Sequence, residues 1–154
     1  MTTNDEVLEA LWPTAEGDRG REAALLLLHA HGRWLRTLDA HGWVTYGPDE
    51  EDAASGDYND AYAYVQWDRV ADAIGKDWKV GADPASDAVM ALRVGSGSEH
   101  GVLLLACSLA AGTDFSFHSL SSLDKTNTRL ALRAVAHALQ GRAYADGQFP
   151  DLMV

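Results

Sequence analysis

The sequence has little of what a secreted, membrane-spanning or disulfide-bonded protein requires. It contains one cysteine, Cys107, so no disulfide can form within the chain. Its apolar runs, such as residues 102–107, do not exceed six residues, whereas a membrane helix needs about twenty. The N-terminus has neither a basic start nor an apolar stretch, so it does not resemble a secretory signal. We therefore expect a cytoplasmic protein without membrane association.

Positive charge is also scarce. Twelve lysines and arginines stand against 23 acidic residues, which gives a net charge of −11. Phosphate backbones repel such a chain, and no basic stripe is present, so we expect no direct binding of nucleic acid. Between residues 37 and 68 there is no lysine or arginine at all, and this window alone carries a charge of −8.

The cation-free window also holds six of the thirteen aromatic residues. Aromatic side chains with polar tips are common at protein interfaces, and dense negative charge favours a positive counterpart. The principal hypothesis is a non-enzymatic protein that binds a basic protein partner, as an inhibitor, immunity-type factor or accessory subunit. The candidate partner-binding residues are Asp49, Glu50, Glu51, Asp52, Asp57, Tyr58, Asp60 and Tyr62. The alternative is a solvated acidic loop, residues 47–60, with its aromatic side chains in the core.

A glycine-rich segment, residues 95–101, supports a second hypothesis. Glycines after a strand let the backbone approach a phosphate or nucleoside. The segment resembles the first motif of methyltransferases, which bind S-adenosylmethionine, although Arg93 stands where that motif usually has an acidic residue. This resemblance implies a small nucleotide- or S-adenosylmethionine-binding enzyme. Its candidate ligand-binding residues are Gly95, Gly97, Glu99, His100 and Gly101.

The sequence predicts neither a cofactor nor a metal site. His29 and His31 point away from each other on a helix, and His31 and His41 lie about 15 Å apart along its axis. Carboxylates between residues 57 and 60 lack the spacing of a calcium-binding loop. Cys107 lies in the most apolar segment, which indicates a buried, unreactive thiol. No catalytic residue is nominated.

The periodicity predicts four helices. The first covers residues 5–12, is capped by Asn4 or Asp5 and ends at Pro13. The second runs from about residue 18 to 41, where Gly32 in mid-helix would allow another backbone to approach closely. A short helix follows Asp68, and a last helix ends before Gly141.

Strands are predicted at residues 43–46, 61–67, 88–94 and 102–109, with one more around Phe115 and Phe117. Because these strands do not alternate regularly with helices, we expect an α+β fold. Its small, mainly antiparallel sheet would pack against two longer helices, one N-terminal and one C-terminal. We expect one domain over residues 1–154, with residues 1–4 mobile. The apolar helix faces would also permit a homo-oligomer.

Overall fold

The computed structural model describes residues 2–47, 63–75 and 87–152. Across these residues the chain is mostly helical, with eight α-helices and one two-stranded antiparallel sheet. The helices are α1 (Asn4–Ala15), α2 (Arg19–His31), α3 (Trp34–Ala40), α4 (Trp67–Gly75), α5 (Asp87–Arg93), α6 (Gly97–Ala111), α7 (Lys125–Gln140) and α8 (Arg142–Gln148). The strands are β1 (Val44–Tyr46) and β2 (Ala63–Val65), and 3-10 helices cover Phe117–Leu120 and Pro150–Leu152. Within the described ranges, no helix combines the length and apolar character of a bilayer crossing.

Helices α2 and α6 form the centre of the core. α2 buries residues 23–28 without interruption. α6 is apolar on nearly every side because it contacts α2, α4, α7 and the 3-10 helix at Phe117–Leu120. Gly20, in the first turn of α2, permits this packing, because the carbonyl oxygen of Leu109 occupies the position that a Cβ atom would need. The largest fully buried side chain is Trp34 of α3.

Three predicted strands are wrong. Residues 88–94 lie largely in α5, residues 102–109 lie within α6, and Phe117 begins a 3-10 helix. An apolar run with both faces buried suits a central strand and a central helix equally well. Ser96 and Glu99 favour the helix, because they form a capping box that satisfies backbone N–H groups at the start of α6. The expected sheet is therefore reduced to two strands among the described residues.

The predicted long helix over residues 18–41 is two helices. Gly32 adopts φ of +89° and its N–H donates to the Leu28 carbonyl oxygen, which ends α2. The expectation that Gly32 admits a neighbouring backbone is wrong, because nothing lies within 4 Å of the position of its missing Cβ. The glycine is required for its backbone angle.

The other predicted elements are confirmed in outline. β1 and β2 pair antiparallel, with Tyr46 opposite Ala63, and α4 and α7 lie where helices were expected. Helix α1 differs in its ends. Thr3 caps it, in a capping box with Glu6, and the helix continues through Pro13 to Ala15.

We predict opposite effects for two glycine-to-alanine substitutions. Gly32→Ala should lower the free energy of unfolding by about 1–2 kcal/mol, because an L-residue is strained at positive φ. Gly147→Ala should leave it unchanged or raise it by up to about 1 kcal/mol, since Gly147 is helical and open to solvent. Urea denaturation of both variants measures the difference, and equal losses would contradict the assignment of Gly32.

Candidate functional site: an acidic helix and its apolar groove

The net charge of the protein resides in two segments. Residues 1–18 contain five carboxylates and residues 48–62, the acidic segment, contain six, and neither has a lysine or arginine. The rest of the chain has twelve acidic and twelve basic residues, so its net charge is zero. The carboxylates of the first segment are Asp5, Glu6, Glu9, Glu16 and Asp18. This segment was not predicted as part of a binding surface, although the absence of cations before Arg19 is visible in the sequence.

Helix α1 holds the first group of carboxylates at the surface. Its buried face is formed by Val7, Leu11 and Ala15, which are at most 2% exposed. This stripe, with its spacing of four residues, leaves the acidic side chains exposed. The backbone N–H of Thr3 donates to Glu6 and lowers the pKa of its carboxyl, which keeps this end of the helix negative.

An apolar groove runs beside the acidic face of α1, between α1, α2 and α8. Its volume is about 390 Å³. The side chains that line it are Asp5, Leu8, Glu9, Trp12 and Pro13 of α1, Leu26 and His29 of α2, and Arg142 of α8. Asp5, Leu8 and Trp12 share one helix face, because they are spaced by three and four residues. The groove thus has an apolar floor with carboxylates at its α1 edge.

A hydrogen bond between two side chains lies at one end of the groove. His29 Nε2 lies 2.7 Å from Asp5 Oδ1, and the Asn4 side-chain amide donates to the His29 carbonyl oxygen at 2.9 Å. The Asp5 side chain is 88% exposed, so its carboxylate remains accessible to a ligand. No hydroxyl or thiol lies among the described residues that line the groove.

Helix α1 is attached to the strand that follows the acidic segment. The Thr14 hydroxyl donates to the carbonyl oxygen of Ala63 at 2.7 Å. Ala63 directly follows the acidic segment. It pairs with Tyr46, which lies two residues before the start of that segment. The residues that flank the acidic segment on its two sides, Tyr46 and Ala63, therefore pair with each other, and Ala63 lies beside the C-terminal end of α1.

Tyr46 extends the polar surface at the start of this segment. It is 56% exposed and its hydroxyl donates to Asp39 Oδ1 at 2.5 Å. Desolvation and this hydrogen bond raise the pKa of Tyr46 to about 12, so the phenol keeps its proton at neutral pH.

Several arginines of the described residues are paired with carboxylates outside the acidic segment. These pairs are Arg33 with Glu99 at 2.7 Å, Arg129 with Asp151 at 2.5 Å and Arg133 with Asp146 at 2.5 Å. Such pairing reduces the positive charge that these side chains can offer to the negative segments.

The candidate partner-binding residues lie outside the described residues. They are Asp49, Glu50, Glu51, Asp52, Asp57, Tyr58, Asp60 and Tyr62. The structure therefore describes the strands and the helix that flank them, and their role stays a prediction.

The glycine-rich segment is a helix start. It follows the helix α5, so the expectation that it follows a strand is wrong. Gly97 lies against the Ser122 side chain and Gly101 against Leu123, where Cβ atoms would approach to 2.8 and 3.1 Å. Gly95 has φ of +139° and faces the Arg33 guanidinium. These glycines thus accommodate neighbouring parts of the protein.

The capping carboxylate of Glu99 occupies the same helix start. It accepts hydrogen bonds from Arg33 and from the backbone N–H of Ser96, and these contacts lower its pKa. Trp34 donates its indole N–H to the Glu99 carbonyl oxygen at 2.9 Å. An anionic nucleotide approaching this turn would meet a carboxylate, which opposes its binding. The ligand-binding hypothesis gains no support from this geometry.

The histidines occupy separate places. His31 and His100 both lie near Trp34, with ring centroids 6.4 and 6.2 Å from that of the indole. Burial lowers the pKa of His31, which favours the neutral imidazole. His137 is fully buried, with Nε2 3.1 Å from Glu22 Oε1. Among the residues that the structure describes, no three metal-binding side chains form a cluster.

Cys107 is buried within α6, as predicted. Burial raises the pKa of its thiol to about 12, so the thiolate is negligible at neutral pH. A buried, protonated thiol is a poor nucleophile.

No family model matches this chain, and no curated protein or solved structure matches it. Its function must therefore be inferred from its own residues.

We predict that Glu99→Gln lowers the free energy of unfolding by about 1 kcal/mol at pH 7, because a charge-assisted hydrogen bond with Arg33 is lost. The folded-state pKa of Glu99 is depressed, so its contribution is present above the unfolded pKa and disappears as the pH falls through the folded value. Urea denaturation at pH 7 and pH 3 should therefore show a smaller difference at pH 3 than at pH 7. Glu16→Gln, at an exposed position, is the control and should have little effect at either pH. A difference that is as large at pH 3 as at pH 7 would contradict this account.

Proposed function

We propose that this protein is a non-enzymatic acidic interaction protein that binds a basic protein partner, as an inhibitor, immunity-type factor or accessory subunit. One observation carries the proposal. The whole net charge resides in residues 1–18 and 48–62, and the bond between Thr14 and Ala63 ties α1 to the strand that follows the acidic segment.

Electrostatics explains why such an arrangement suits a binding protein. Like charges in one region repel one another and reduce the stability of the isolated chain. A cationic surface relieves that repulsion on binding, accelerates encounter and excludes acidic partners. The body of the protein contributes a neutral, well-packed support, since its acidic and basic residues balance.

We expect charge reversal in the acidic segment to abolish the complex. The variant carries Glu50→Lys, Glu51→Lys and Asp52→Lys, so lysines replace the charges that would face the partner. A basic protein captured by the native chain from the cells that express it should bind this variant about 100-fold more weakly or not at all. Affinity capture with mass spectrometry identifies the partner, and titration of the purified pair measures the loss.

The matched control reverses three exposed carboxylates elsewhere, as Asp72→Lys, Asp87→Lys and Asp114→Lys. It has the same net charge as the test variant. The control should retain the complex, and circular dichroism should show that both variants are folded. Equal loss in the two variants would indicate a dependence on overall charge, and retention in both would refute the proposal.

A further inference from the structure

We infer that the groove between α1, α2 and α8 receives a large apolar side chain from a basic segment of the partner. This inference rests on the proposed function for the charge of the partner and adds the chemistry of its contact. The partner segment would place an aliphatic or aromatic side chain in the groove and lysines or arginines along α1.

The floor of the groove provides the apolar contact. Leu8 and Trp12 lie beside the buried face of α1 and are only partly covered, and Leu26 of α2 closes the floor between them. A volume of about 390 Å³ has room for a leucine or larger side chain. Burial of such a side chain is favourable because it removes apolar surface from water on both partners.

The rim of the groove provides the charge complementarity. Asp5 and Glu9 lie at its α1 edge, Glu6 adds negative charge to the same helix, and Glu16 follows its last residue. Arg142 is the one lysine or arginine among the described residues that line the groove, and its guanidinium carbon lies 5.8 Å from the centroid of the Trp12 ring. It lies on α8, across the groove from the carboxylates of α1.

The extent of the negative face favours a polypeptide over a small molecule. A helix of twelve residues such as α1 is about 18 Å long. A small molecule in the groove would reach only the carboxylates at the rim. A peptide segment that runs along α1 would contact its acidic face, and its path leads towards Ala63.

Two synthetic peptides of equal charge test the inference. One is an amphipathic peptide of lysine and leucine, and in the other every leucine is replaced by alanine. We expect the leucine peptide to bind the native chain about tenfold more tightly or better. Added salt should weaken the binding of both peptides and leave the ratio of their affinities unchanged, because screening acts on charge and not on apolar burial. Equal affinities of the two peptides for the native chain would overturn the inference, and this comparison requires no variant of the protein.

Substitutions in the groove locate the contact. Leu8→Ala should remove the advantage of the leucine peptide, whereas Leu132→Ala, at a position on α7 that is 54% exposed, should preserve it. Glu9→Arg should weaken both peptides several-fold more than Asp114→Arg, which makes the same charge change at an exposed position away from α1 and the groove. An advantage that survives Leu8→Ala would overturn the inference. Urea denaturation confirms that each variant is folded.

The triple lysine variant of residues 50–52 separates this inference from the proposed function. If it abolishes binding of both peptides while Leu8→Ala has no effect, the acidic segment binds alone and the groove inference fails. In the other case, Leu8→Ala removes the tighter binding of the leucine peptide and the triple variant retains it. The groove then binds the peptide, and the proposed role of the acidic segment fails. The native chain could instead form a homodimer that Leu8→Ala dissociates and that neither peptide dissociates. The groove would then bind a second copy of the chain, which would overturn the inference.

Discussion

Helix α2 packs along α6, and the close approach of Gly20 to the carbonyl oxygen of Leu109 makes this contact possible. The two helices bury most of their apolar side chains against each other and against the helices around them. Because α2 is the common neighbour of α1, α6 and α7, its position determines where the acidic helix and the groove beside it lie. The loss of this packing would remove the support of the candidate site.

The distribution of charge follows from this core. Arginines of the helical body have carboxylate partners nearby, as in the pair of Arg133 with Asp146, whose arginine side chain is almost fully buried. A buried cation without such a partner would be costly, so the body needs balanced charge. Exposed carboxylates on α1 have no such requirement, since water solvates them. Negative charge can therefore accumulate on the exposed face of α1.

The glycine-rich segment shows that one sequence pattern is compatible with two different structures, a ligand-binding loop and a packed helix start. Glycines at positions 97 and 101 could admit a phosphate, but here they admit the side chains of Ser122 and Leu123. Ser96 and Glu99 complete the helix start with their own hydrogen bonds. The same residues that suggest a ligand loop in the sequence thus build a packed, capped helix in the core.

The sequence by itself determined the helices with a polar face, two short strands and the concentration of charge. Local signals suffice for these features, because amphipathic periodicity, a glycine at a helix end such as Gly141 and a run without cations are visible in short windows. Only the tertiary structure decided that residues 102–109 form a helix, since an apolar run has no periodicity to distinguish the alternatives. It also decided that Leu8 and Trp12 meet Leu26 and Arg142 in one groove, because contacts between distant helices depend on packing that no local pattern records.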